Sequence, residues 1–508
     1  MPILVDKVGS EGEAGVYSGN KDFYPVNPLA QPLPWWSKLY KRIELLPWSL
    51  RYNIGVTEKA ILKDKIIRLA TSIGFQDKWT SNVIKHAISE FSKRMGSDYY
   101  GYHNIDHEIE ATYLTLLALC GHSQQNKFTQ EDFIYLFVAA LFHDYDLRKQ
   151  YDKPHEESVE NFLRSDVKIK KFIDGVGISL DIVIAVIYRT TYPFKGEVAR
   201  RASDRMQKLF TVAGIPENDT KTREHYEYLG WFLSVSERIA GYALGNIEHA
   251  KDLARRNGHA LGWHPSLINE ESVKYFSALK EEQEMVQCVL HGVPDEYKKN
   301  FFDNLQFFKE SWEEEIKIRS SIRRNELSLI SAVEKTGKNI DSSVGASLLS
   351  IYREVPSPIQ INEKKFIRSI SDTNTILITL RVKDEDGKIV GYVKGGPLDN
   401  YTLRSGTQDE NWGKKNTAHM EWISIKPGYW GETGGHLLRL HFLKEAKRRG
   451  YTFVTSYVHR NVIMSRINRG ERIMIVQKYD PDKLDYYRTD LSGLSHAVHN
   501  LISDCDNS

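Results

Sequence analysis

Residues 418–450 read AHMEWISIKPGYWGETGGHLLRLHFLKEAKRRG, and three kinds of text follow one another in them. Residues 418–425 (AHMEWISI) alternate in the manner of a strand. Residues 426–435 (KPGYWGETGG) break that pattern with Pro427, Gly428, Gly431, Gly434 and Gly435. Residues 436–449 (HLLRLHFLKEAKRR) have the spacing of an amphipathic helix, and Gly450 stands where a helix commonly ends. A strand, a glycine-rich turn and a helix start together form an anion site, because backbone N–H groups and the positive end of the helix dipole converge there.

Working outward, residues 453–458 (FVTSYV) read as a further strand, followed by residues 459–466 (HRNVIMSR). Upstream, residues 375–382 (TILITLRV) and 389–393 (IVGYV) are β-rich runs joined by residues 383–388 (KDEDGK), whose Asp386-Gly387 is a hairpin signal. This order resembles the GNAT acetyltransferase fold over about residues 366–488, in which the turn holds the pyrophosphate of acetyl-CoA. The resemblance implies that Gly431, Glu432, Thr433, Gly434 and Gly435 line that pyrophosphate and that Asn461 contacts the cofactor. It also puts Glu421 where a general base for amine deprotonation is found, the other reading of Glu421 being an outward strand residue. Tyr486 or Tyr487 would supply the acid for the leaving thiolate, or pack. The acceptor would be an amine, of a small molecule or of a protein lysine. The family's turn commonly has the form R/Q-x-x-G-x-G/A; here Tyr429 holds its first position and Glu432 the position of its middle glycine.

The text before this half differs. From about residue 57 to residue 333 the apolar spacing is three and four almost throughout, as in Phe301, Leu305, Phe308, Trp312 and Ile316, which predicts helices without strands. Tyr102-His103-Asn104-Ile105-Asp106-His107 opens one helix and sets two imidazoles one turn apart; an apolar run ending in His143-Asp144 follows, and His155 lies further on. Nitrogen and carboxylate donors in that number suit a borderline or hard divalent ion. Tyr102-His103-Asn104-x-x-His107 followed by Leu141-Phe142-His143-Asp144 resembles the HD metal-dependent phosphohydrolases, in the variant found in cyclic-nucleotide phosphodiesterases, over roughly residues 57–245. The resemblance implies His107, His143 and Asp144 as ligands of a first ion, His103 as general acid and His155 near a second ion. Glu237 stands where that family has its last aspartate, its other reading being a helix carboxylate paired with Arg238 or another base, and Leu147 replaces an expected histidine. The ion would be Mg, Mn, Fe or Zn, and the substrate a phosphoester or nucleotide.

The chain of 508 residues has 69 basic and 67 acidic side chains, a net charge of +2, so no whole-chain field draws it to nucleic acid or an anionic membrane. Cys120, Cys288 and Cys505 form no CxxC pair, which argues against a disulfide framework and for a reducing, cytoplasmic setting. Neither a leader nor a membrane span is expected. The domains expected are a Pro/Trp-rich arm at 1–56 that wraps the body or binds a partner, an HD-type all-α domain at 57–250, a helical connector at 251–340, a linker at 341–365, a GNAT-like α/β domain at 366–495 and a tail at 496–508. A bifunctional enzyme, an acetyltransferase regulated by a metal or nucleotide sensor, and a pair of binding scaffolds are the three functions this organisation allows.

Overall fold

The computed structural model describes residues 31–32, 56–93, 105–122, 128–145, 156–192, 194–260, 263–337, 341–355, 363–383, 387–404, 407–431, 433–468, 470–479 and 484–494. From Val56 to Arg323 the described elements are helices. The helix Gln130–Phe142 shows why they form where they do. Thr129 Oγ accepts from the Asp132 N–H at 3.2 Å and the Asp132 carboxylate accepts from the Thr129 N–H at 2.8 Å, a reciprocal cap. The apolar run beyond it, Phe133 to Phe142, is buried apart from the half-buried Ile134, so this helix lies inside the bundle with Ile105–His122 and Thr220–Leu244 packed on it. Gly121 and Gly292 let two helix ends touch: a methyl group at Gly292 would stand 2.1 Å from the Ala118 carbonyl oxygen. Among the described residues no helix is long and apolar enough to cross a membrane.

The long helix Asp295–Arg323 joins both halves. Its Phe301 and Phe308 sit in the helical core, while Ile318 and Ile322 pack against the core of the sheet that follows. The strands are β1 (Gln31–Pro32), β2 (Leu329–Val333), β3 (Ile376–Val382), β4 (Ile389–Pro397), β5 (Tyr401–Thr402), β6 (Thr417–Met420), β7 (Ser424–Ile425), β8 (Phe453–His459), β9 (Ile473–Gln477) and β10 (Leu484–Asp490). Among the described residues the main sheet runs β2-β3-β4-β6-β8-β10-β9, with β7 also on β4, and every pairing is antiparallel except β6 with β8. The helix Gly434–Arg448 covers one face, burying Leu438, Phe442 and Leu443 against Ile378, Leu380 and Val393; Ser342–Tyr352 and Glu363–Ile370 cover the other, against Leu377 and Tyr392.

Two boundaries differ from the expectation. The sheet starts at Leu329, inside the stretch expected as helix and connector, because Leu329 pairs with Val382 and Val333 with Ile378. Residues 341–365, expected as a linker, contain the helix Ser342–Tyr352, capped by the Asp341 carboxylate on the Ser343 N–H and buried through Leu348, Ile351 and Tyr352. Of the N-terminal arm, Gln31–Pro32 pair with Tyr401–Thr402 and Val56 opens the first helix; the rest of residues 1–55 and the tail at 496–508 lie outside the described residues.

Candidate functional sites

The first site is a buried cluster in the helical half. His107 comes from the first turn of Ile105–His122, His143 caps Gln130–Phe142, Asp144 follows it, and Glu237 projects from the middle of Thr220–Leu244. His107 Nε2 lies 3.2 Å from His143 Nε2, 3.4 Å from Asp144 Oδ2 and 3.5 Å from Glu237 Oε2, and His143 Nε2 lies 3.4 Å from Asp144 Oδ2. Ligands about 2.1 Å from one ion stand about 3.0–3.4 Å apart at octahedral or tetrahedral angles, so His107, His143 and Asp144, whose donor atoms lie within 4.8 Å of one another, are spaced to hold a divalent ion, with Glu237 beside His107. Glu108 adds a third carboxylate: it accepts from the Asp144 N–H at 3.0 Å and stands 3.1 Å from His143 Nδ1, which also bonds the Ala140 carbonyl at 2.9 Å. Such a partner on the far nitrogen fixes a ligand's ring orientation. Burial pushes the Glu108 carboxyl up to about 7 and that of Glu237 up to about 8, the response of acids held in apolar surroundings. His103 and His155 lie outside the described residues.

The second site is built on the sheet. β6 and β8 run parallel only through Thr417–Phe453, Ala418–Val454 and His419–Thr455. Beyond that the strand breaks: Gly395 faces Met420 but Tyr392 faces Ser424, so four residues span the distance of three. This extra residue is a β-bulge, and it carries residues 421–425 along β4 while β8 continues beside β10. Among the described residues the pairing of β6 with β8 ends there, and the glycine turn follows β7. Gly428 and Gly431 take φ of +88° and +84°, and Thr433, at +60°, caps the helix Gly434–Arg448. A methyl group at Gly434 would stand 2.7 Å from Leu380 Cδ2, so a larger residue there would make the Leu380 side chain shift. The first intrahelical bond here is Leu437 N–H to Thr433 C=O at 2.9 Å, which leaves the preceding N–H groups outside the helical ladder.

Glu421 lies in the bulge. Its carboxylate receives Lys394 Nζ and, at 2.8 Å, the Tyr401 hydroxyl. Lys394 is 2% exposed and gave no sign of itself in the sequence. Tyr487 is on the other face. It pairs with Ser456, sits under the helices Gly434–Arg448 and Arg460–Asn468, and accepts from Arg466 at 2.7 Å. Burial alone would raise its phenol, but the Arg466 and Arg439 guanidiniums outweigh that and hold it below the usual range. Tyr486 points to the Glu421 side and donates to Asp409 at 2.8 Å. Asn461 is exposed directly after β8, and its side chain accepts from the Val462 N–H at 2.8 Å. Glu432 lies outside the described residues. The glycine turn follows β7 and Asn461 follows β8, Glu421 lies in the bulge before the turn, and Tyr487 lies on the opposite face of β10 from Tyr486.

Comparison with known proteins bears on the second site. Residues 347–464 match the model of the Acetyltransferase (GNAT) family, and this stretch is a GNAT acetyltransferase domain. Solved structures with some likeness include the PaiA N-acetyltransferase from Thermoplasma acidophilum in complex with coenzyme A, at 14% identity over 32% of this chain and 99% of that one, with a TM-score of 0.22. A GCN5-related N-acetyltransferase from Kribbella flavida is similar at 12% identity over 33% and 99%, TM-score 0.24. The ribosomal-protein-S18-alanine N-acetyltransferase from Escherichia coli is similar at 14% identity over 33% and 98%, TM-score 0.23. No curated protein sequence matches the chain.

Proposed function

We propose, from the GNAT acetyltransferase domain as premise, that this chain transfers an acetyl group from acetyl-CoA to an amine, and that its helical half is an HD-type module holding a divalent metal ion and hydrolysing a phosphoester. The parting of β6 from β8 beside the glycine turn carries the first part. In this reading the pantetheine arm lies where β6 and β8 cease to pair, and the pyrophosphate meets the N–H groups at the start of the helix Gly434–Arg448. Glu421 takes a proton from the acceptor's ammonium group; the free amine attacks the thioester carbonyl, an N–C bond forms as the C–S bond breaks, and the thiolate leaves to be protonated. Lys394 and Tyr401 both bond the carboxylate and fix its direction. In this reading Tyr487 is a packing residue, since it lies on the opposite face of β10 from Tyr486 and its hydroxyl is held by Arg466.

The convergence of His107, His143, Asp144 and Glu237 carries the second part. A bound ion would supply water of lowered pKa and draw charge from the phosphoryl oxygens. Glu108 holds His143 so that Nε2 faces the centre. We place the protein in the cytoplasm. Metal analysis of the purified chain and of His143→Ala and Asp144→Ala tests the metal module: we expect bound metal to fall to background in both, and unchanged content removes the assignment. Acetyl-CoA calorimetry tests the other module; absence of heat at millimolar ligand removes it. A phosphoester panel run with and without acetyl-CoA separates two independent activities from regulation of one by the other, a reading favoured by the contact of the helical half with the glycine turn.

A further inference from the structure

A coenzyme A thioester brings two negative charges in its pyrophosphate alone, and in residues 426–435 the base Lys426 is matched by the acid Glu432, so the side chains of the turn add no net positive charge. A helix N-terminus supplies roughly half a positive charge, so the turn by itself leaves the anion under-compensated. Described residues of the helical half also reach the turn. Ser266 reaches the turn: a methyl group at Gly431 would stand 3.6 Å from its hydroxyl oxygen. A methyl group at Gly428 would meet Ile318 Cδ1 at 2.8 Å and the Glu315 Cα at 3.4 Å, so the helix Asp295–Arg323 presses on the same turn. His264 stands edge-on to Trp430, ring centroids 5.5 Å apart, and bonds the Ser266 hydroxyl at 2.7 Å.

Arg319 lies between these contacts. Its Nη1 donates to the Ser266 carbonyl at 3.3 Å, its Nη2 to Glu315 Oε2 at 3.1 Å and its Nε to the Glu315 carbonyl at 3.4 Å, so at most three of its five N–H groups are engaged, and at long distances. Glu315 is buried and also bonds Asn269 at 2.5 Å; burial pushes its carboxyl up to about 7, which leaves the Arg319 charge only partly offset near neutrality. We infer that the helical half completes the acetyl-CoA site, with the Arg319 guanidinium binding the pyrophosphate at the glycine turn and Ser266, whose N–H and hydroxyl both bond His264 Nδ1, holding the Arg319 side chain against that turn through its carbonyl. The inference rests on reading that turn as the pyrophosphate site.

Calorimetry on the full chain with coenzyme A, dephospho-coenzyme A and pantetheine tests it. Replacing Arg319 by Gln is expected to weaken coenzyme A and dephospho-coenzyme A by the same factor, about 10- to 100-fold for a lost charge-assisted pair, and pantetheine by less than about twofold. Arg319→Lys, which keeps the charge but not the fork, should recover part of the loss. Equal weakening of pantetheine would make Arg319 a residue that merely holds the halves together, and unchanged coenzyme A affinity would remove it from the site; either overturns the inference while the turn's role stands. An effect on coenzyme A alone would move Arg319 to the ribose phosphate and also overturn it. If the unaltered chain binds pantetheine as tightly as coenzyme A, the reading of the turn fails first.

Discussion

Glu421 and Lys394 show what one buried pair asks of its neighbours. Lys394 is taken almost wholly out of water and has Glu421 as its counter-ion. Replacing Glu421 by Gln should therefore lower kcat for acetyl transfer by about 10²- to 10⁴-fold, the range for loss of a general base, with a smaller change in KM for acetyl-CoA. Glu421→Ala should also destabilise the domain by about 3 kcal/mol, because it leaves a buried cation unpaired; a thermal melt of Glu421→Ala with Lys394→Met should recover most of that loss. Unequal kinetics without the stability change would mean that the pair is wetter than its burial indicates. Half of this pair was legible. Glu421 stood in a strand-like run beside a glycine turn, whereas Lys394 sits in VKGG, where nothing distinguishes a buried lysine from a surface one. Glu108 was missed for a similar reason, since a carboxylate next to His107 reads as a solvated helix residue until the helix is seen to be buried on every side.

Between elements, Glu160 ties three helices. Burial would raise its carboxyl, but hydrogen bonds from Arg205, Arg164 and Tyr188 outweigh that and bring it to about 2. A carboxylate depressed in the folded state adds stability that is complete above its ordinary value near 4.5 and is lost as pH falls toward 2. Glu160→Gln should accordingly cost about 3 kcal/mol at pH 7 and little at pH 2.5, read by urea denaturation at both; a pH-independent cost would refute the ionic account. In the glycine turn, Gly431→Ala should cost about 1 kcal/mol at its positive φ, and Gly434→Ala more, through its clash with Leu380. The helix at residues 436–449 was expected from its spacing and is found as Gly434–Arg448. The strand at residues 418–425 was expected unbroken. Alternation counts residues along one strand, and a bulge is a relation between two, so the break after Met420 has no trace in the period.

At the scale of the molecule the helical core and the sheet core are separate clusters bridged by Asp295–Arg323 and by contacts such as Arg255 with Glu354. Gly292→Ala should destabilise the helical half by about 3 kcal/mol or more, since two backbones meet there; differential calorimetry reads it, and a loss below about 1 kcal/mol would mean that the helix ends slide apart. The change from helix text to strand text was legible, but its position was not. Residues 329–333 (LISAV) carry no alternation, and residues 341–352 hide a capped helix behind serines. The placement of β2 has a practical consequence. Anyone severing the chain at residue 341 or 366 to isolate the acetyltransferase would strip Leu329–Val333 from β3 and bare a row of N–H and C=O groups on a flat apolar margin. That excised piece would pair with itself and come out of solution, whereas one cut before Asp295 would carry its own protective border.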